Sequence, residues 1–114
     1  AAKYAVDKKG LSRVAVIDFD VHHGNGTEEI LSSDSRFFFV SVHAFGKKFY
    51  PYTGEESLPQ RNVVNVALTK GFGFELLLEG WRDERVGEKL NEFQPQLILL
   101  SSGFDAHKSD LAKA

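Results

Sequence analysis

No cysteine occurs among the 114 residues, which excludes a disulfide framework, a thiolate zinc site and a cysteine nucleophile. Any metal must be held by histidine or carboxylate. No apolar run approaches the length that spans a bilayer, and the opening AAKYAVDKKG lacks the apolar stretch of a signal peptide. Nor is there an excess of basic charge. The 14 Lys and Arg stand against 16 Asp and Glu, a formal charge of −2 with no basic block, which argues against an electrostatically driven nucleic-acid binder. Repeats, low-complexity tracts and Pro/Gly/Ser linkers are also missing. The expectation is one domain unit over 1–114, cytoplasmic or nuclear, with no membrane and no direct nucleic-acid contact. At this length a chain buries roughly two-thirds of its unfolded surface, so a core can form without staples.

What is present alternates between two periodicities. The opening segment has good helix formers and stops at Gly10, a residue suited to the left-handed position that closes a helix. Arg13 to Phe19 contains the β-branched run Val14-Ala15-Val16-Ile17 and predicts a strand buried on both faces. Thr27 to Leu31 predicts a short helix capped by Thr27, with Glu28 and Glu29 near the positive end of its dipole. Phe37 to Val42 and Asn62 to Leu68 predict further strands, separated by a long loop from Ala44 to Arg61. Phe74, Leu77, Leu78, Trp81, Val86, Leu90 and Phe93 recur at helical spacing with a one-residue drift, predicting one helix that Pro95 ends. Gln96 to Leu100 predicts a fourth strand. Strands alternating with helices indicate an α/β fold with a mostly parallel sheet covered by helices on both faces. Such sheets bind ligands beyond the carboxyl ends of their strands.

Two polar clusters fall there. The first is Asp18-Phe19-Asp20-Val21-His22-His23-Gly24-Asn25-Gly26-Thr27. In an extended backbone, Asp18, Asp20 and His22 would share one face. Gathered anions repel, and a divalent metal is the simplest compensation. The second cluster, Gly103-Phe104-Asp105-Ala106-His107, follows the fourth strand. If that strand lies beside the first, Asp105 reaches the same crevice as Asp20 and His22. Two oxygens and one nitrogen would leave an open coordination position, as catalytic zinc sites do. A network of aspartates capping neighbouring helices is the alternative, and spacing leaves both open. A magnesium-dependent phosphatase with an Asp-x-Asp nucleophile motif fits less well, because His22 argues against an all-oxygen shell. His43 reads as a packed or hydrogen-bonded histidine, His23 as structural because it points opposite to His22, and His107 as solvated.

The first cluster closely resembles the metal-binding motif of the zinc-dependent histone deacetylases and their bacterial relatives. Val40-Ser41-Val42-His43, Phe49-Tyr50-Pro51-Tyr52-Thr53-Gly54 and Ser101-Ser102-Gly103-Phe104-Asp105-Ala106-His107 match the same family in the same order. Asn25 and the Gly-Phe-Asp motif look more like the class II and bacterial branch. The resemblance implies a three-layer α/β/α arginase/deacetylase-like fold, here incomplete, and hydrolysis of acetyl-lysine to the free amine and acetate. It implies Asp20, His22 and Asp105 as zinc ligands, Asp18 and Ser41 at a monovalent-cation (potassium) site, and Asp18 and Asn25 as orienters of a catalytic histidine pair. Tyr50 matches a wall of the channel that grips the acyl-lysine stem. The family's histidine pair and transition-state tyrosine have no counterpart in these residues, so the piece alone is expected to have little or no activity. Tyr52 stands where the family usually has glycine, Ser102 where it has alanine and Leu111 where it often has proline. Acetylated polyamines are the alternative substrate, and a non-catalytic binding module is the alternative class.

Overall fold

A computed structural model describes residues 1–69 and 73–110. Four strands, β1 (Val14–Asp18), β2 (Phe37–Ala44), β3 (Val63–Leu68) and β4 (Leu97–Ser101), form one sheet in the order β3-β2-β1-β4. Every pairing is parallel. The sheet lies between two helical layers. Helices α1 (Ala2–Asp7) and α2 (Asn25–Leu31) share one face with Val14, Val16, Phe37, Phe39 and Val63. Helices α3 (Phe74–Trp81) and α4 (Glu84–Phe93) pack through Leu77, Trp81, Val86, Leu90 and Phe93 on Ala15, Phe38, Val40, Val42 and Val64. This is the three-layer α/β/α arrangement that the alternating pattern predicts.

The central strand shows why the apolar runs are continuous. All eight residues of β2 are buried, because a parallel strand covered on both faces has no solvent side. Phe37, Phe38 and Phe39 point alternately into the two layers, and full burial of each such ring contributes about 1.5–3 kcal/mol. Gly80 lets α3 lie close on β2, since a Cβ there would come within 2.6 Å of Val42. Strand β4 differs. It is an edge, with Ile98 46% and Leu100 62% exposed.

The local expectations need three adjustments. The helical pattern from Phe74 to Phe93 is two helices, because the Asp83 carboxylate accepts the Arg85 N–H at 3.0 Å and starts α4 afresh. That break accounts for the one-residue drift. Helix α2 begins at Asn25 with Gly24 as its N-cap, two residues before Thr27, and no side chain caps it. Its opening is set by the preceding turn, in which the Asn25 N–H donates to the His23 carbonyl at 2.8 Å. Asn62 lies outside β3, in a left-handed conformation (φ 53°) that closes the 3₁₀ turn Pro59–Arg61. Gly10 closes the α1 region as expected, with φ 74° and its N–H donating to the Val6 carbonyl at 3.1 Å. Leu111 lies outside the described residues. Among the described residues no helix is long and apolar enough to cross a membrane.

Candidate metal centre

The sheet brings the two polar clusters together because β4 is hydrogen-bonded to β1. Asp18 is the register partner of both Ser41 on β2 and Ser101 on β4, and Ser41 in turn pairs with Asn65 on β3. A polar row thus crosses the carboxyl end of the sheet. Beyond it the chain turns on its own carboxylates: Asp18 accepts the Asp20 N–H at 3.0 Å, and Asp20 accepts the His22 N–H at 2.7 Å. These bonds curl the segment, so the extended geometry that would align Asp18 with Asp20 and His22 is not adopted. Asp18 drops into the core, 3% exposed, beneath Gly24. Asp20 and His22 stay half-buried at the rim.

Asp105 arrives from the other side. Its Oδ1 accepts the Val21 N–H at 3.0 Å, which orients the carboxylate, and its Oδ2 lies 2.7 Å from His22 Nδ1. Asp20 Oδ1 lies 3.0 Å from the same nitrogen. Candidate ligand atoms of Asp20, His22 and Asp105 all lie within 4.8 Å of one another. Two carboxylates sharing a single imidazole nitrogen form a compact set of two oxygens and one nitrogen, and that composition fits zinc. Gly103 is part of the construction, since any Cβ there would collide with the Asp20 carboxylate.

The supporting residues sit deeper. Burial pushes the Asp18 carboxyl above its ordinary value, opposed by the Asp20 N–H and the Ser101 hydroxyl, while the neighbouring Asp20 charge raises it further. Ser41, fully buried, bonds His43 Nδ1 at 2.9 Å. His43 Nε2 lies 3.0 Å from the Gly54 carbonyl, which can only accept, so Nε2 carries the proton and the Ser41 hydroxyl donates to Nδ1. Burial lowers the His43 pKa to about 4, aided by the nearby His23. His23 lies on the same side, with Nε2 3.0 Å from Glu28 and Nδ1 2.8 Å from the Thr53 hydroxyl. Both histidines are therefore the hydrogen-bonded, structural residues that the sequence suggests. Asn25 is exposed at the first position of α2, with its N–H on the His23 carbonyl. Tyr50 is 65% exposed, with its ring edge-on to His22 at 6.4 Å. His107 is exposed, and its Nδ1 accepts the Ser109 N–H at 3.2 Å.

Sequence reasoning missed three parts of this region. Glu28 is more than a dipole complement. Burial alone would raise its pKa, but hydrogen bonds from His23 and Asn65 outweigh that and leave it lowered. Asn65 bridges Glu28 and the Glu56 carbonyl through its amide nitrogen, leaving its buried Oδ1 without a partner. Gly54 must be glycine: φ is 85°, and a Cβ would come within 2.6 Å of both His23 and His43. Its position just after Thr53 in a glycine- and proline-punctuated loop was the available signal. A separate cavity of about 760 Å³ opens toward α3 between Phe19, Phe74, Trp81 and Phe104, and none of the three candidate ligands lines it.

Comparison with known proteins identifies the family and the fold. The histone deacetylase domain family matches residues 1–114. The type-2 histone deacetylase 2 of Dictyostelium discoideum is 44% identical over 96% of this chain, which corresponds to 7% of that protein. Among solved structures, the HDA15 HD domain superposes with a TM-score of 0.83 at 30% identity, over 97% of this chain and 33% of that one. An acetylpolyamine aminohydrolase from Burkholderia pseudomallei gives 0.76 at 31% identity, over 89% of this chain and 31% of that one. The chain thus spans a third or less of each of these relatives. The parallel sheet between two helical layers, with aspartate and histidine gathered at its carboxyl end, is part of the arginase/deacetylase-like α/β fold, and the chain belongs to the histone deacetylase family.

Proposed function

We propose that this chain supplies the metal centre of a zinc-dependent amide hydrolase that removes acetyl groups from acetyl-lysine. The observation that carries this reading is the convergence of Asp20, His22 and Asp105 within 4.8 Å at the carboxyl end of the sheet. Asp20, His22 and Asp105 would hold the zinc, which supplies a polarised amide carbonyl and an acidified water when bound. The chain's own residues then do the holding and shaping. The Val21 N–H fixes Asp105, the curled backbone fixes Asp20, and Gly103 leaves room for it. Tyr50 beside His22 forms one wall of the acyl-lysine channel. Asp18 and Ser41, register partners on adjacent strands, would hold a potassium ion. Asp18 and Asn25 would orient a catalytic histidine pair.

The use of the histidines in this chain supports that element. His23 and His43 are committed to buried hydrogen bonds, and His107 is exposed and bonded to its own turn. A general base is worth about 10²–10⁴-fold in rate, so the chain alone is expected to show little or no hydrolysis. A second reading, hydrolysis of acetylated polyamines, is favoured by the likeness to the aminohydrolase. Acetyl-lysine peptides and acetylated polyamines offered to a longer protein containing this chain would separate the two.

Elemental analysis of freshly purified protein tests the core of the proposal. About one zinc per chain in the native sequence, lost in Asp105→Ala, is the expected result. Zinc absent from both, with melting unchanged on adding zinc, would favour a non-catalytic module.

A further inference from the structure

Tyr52 is held where tyrosine does not belong. Its φ of 66° lies in the left-handed region, which costs an L residue with a Cβ but not glycine. Folding gains little in return, because the ring is 63% exposed. A strained, solvent-facing aromatic calls for a reason outside the fold. Its neighbours supply one. The Tyr52 ring stands edge-on to Tyr50 at 6.3 Å, and Tyr50 stands edge-on to His22 at 6.4 Å. The three rings form a strip that leads outward from the candidate metal ligands. Its base is fixed: the Tyr52 N–H donates to the Phe49 carbonyl at 3.0 Å, Thr53 is bonded to His23, and the Gly54 carbonyl accepts from His43. Such a support presents the ring at low entropic cost to whatever binds it.

We propose that Tyr52 is a specificity-determining residue, a second aromatic wall that grips the aliphatic stem of the acylated amine beyond Tyr50. The assignment rests on the metal-centre reading above. Tyr52 selects for ligands long enough to reach past Tyr50, and it leaves the head group at Asp20, His22 and Asp105 untouched.

The test uses the zinc-loaded chain, titrated calorimetrically with hexanohydroxamate, a chelator with an alkyl stem, and with acetohydroxamate, which has none. Tyr52→Gly is expected to weaken the long probe about 2- to 10-fold, the range of one aromatic contact. The short probe should bind as in the native chain. Tyr52→Phe should restore the long-probe affinity, and the melting temperature of Tyr52→Gly should be no lower than native, because the backbone strain is relieved. Equal binding of both probes by Tyr52→Gly and native protein would overturn the assignment. So would a marked fall in melting temperature, which would make Tyr52 a folding residue. A native chain that takes up zinc but binds neither probe, or takes up no zinc, sinks the metal-centre reading and this inference with it.

Discussion

His22 and His23 are adjacent in sequence and face opposite fates. His23 is buried, and each ring nitrogen has a partner, Glu28 and Thr53. Around it, His43, Ser41 and Gly54 form a second bonded set, with the two imidazole centroids 4.7 Å apart. His22 is half-exposed, and one of its nitrogens faces two carboxylates at 2.7 Å and 3.0 Å. The buried cluster is close to satisfied, whereas the rim cluster gathers anions around one nitrogen. Satisfied polar groups stabilise a fold, and crowded ones are kept for a ligand that compensates them. The difference separates the histidine committed to the core from the one that faces carboxylates at the rim.

Alanine in place of glycine breaks the two clusters differently. Gly54→Ala puts a Cβ into both imidazoles at a left-handed backbone position, and a loss of about 3 kcal/mol or more is expected in urea unfolding. Gly103→Ala displaces only the half-exposed Asp20 carboxylate, so it should cost about 1 kcal/mol while abolishing zinc uptake. Comparable stability losses in the two variants would erase the distinction.

Glu28→Ala comes next. It leaves the His23 and Asn65 donors buried without their carboxylate, at a cost of about 2–3 kcal/mol by the same assay. A change within experimental scatter would mean that the buried cluster is not the structural one.

The pH dependence of stability sharpens the contrast further. His43 has a folded pKa of about 4 against an ordinary 6.5, so between those values the unfolded chain binds a proton that the folded chain refuses. Stability should therefore be full above the ordinary value and fall as pH drops through this window, by up to about 1.4 kcal/mol per pH unit. His43→Gln should flatten the slope. An identical slope in native and variant proteins would place the titration elsewhere.

The smallest expected effect is at the rim. Asp20→Asn removes one of two crowded charges, so metal-free stability should change by no more than about 0.5 kcal/mol, while zinc content falls to background. A large destabilisation of the metal-free protein would show that the rim set is also structural.

Much of this was legible from residues alone. The runs at Val14, Phe37 and Val63 mark strands because a two-sided parallel sheet demands continuous apolarity, and the run at Leu97 marks the edge strand β4. The candidate ligand trio was legible only conditionally, since Asp105 joins Asp20 and His22 only if β4 lies beside β1. That adjacency is a long-range hydrogen-bonding choice with no local signature. The place of Asp18 was not legible, because it follows from the curl that Asp18 and Asp20 impose on their own backbone. The helix break at Asp83 was available in principle as an Asp three residues before a new apolar phase, yet periodicity alone runs through it.

Composition and pattern by themselves determined the α/β class, the lack of thiolate ligands in this chain and the residue types available to a metal. These depend on covalent identity and on periods within one element. The tertiary structure alone decided the strand order β3-β2-β1-β4, the pairing of His23 with Thr53 and the approach of Asp105 to His22. Those contacts join segments far apart in the chain, and their energy comes from burial and hydrogen-bond satisfaction in the assembled layers, which no local window contains.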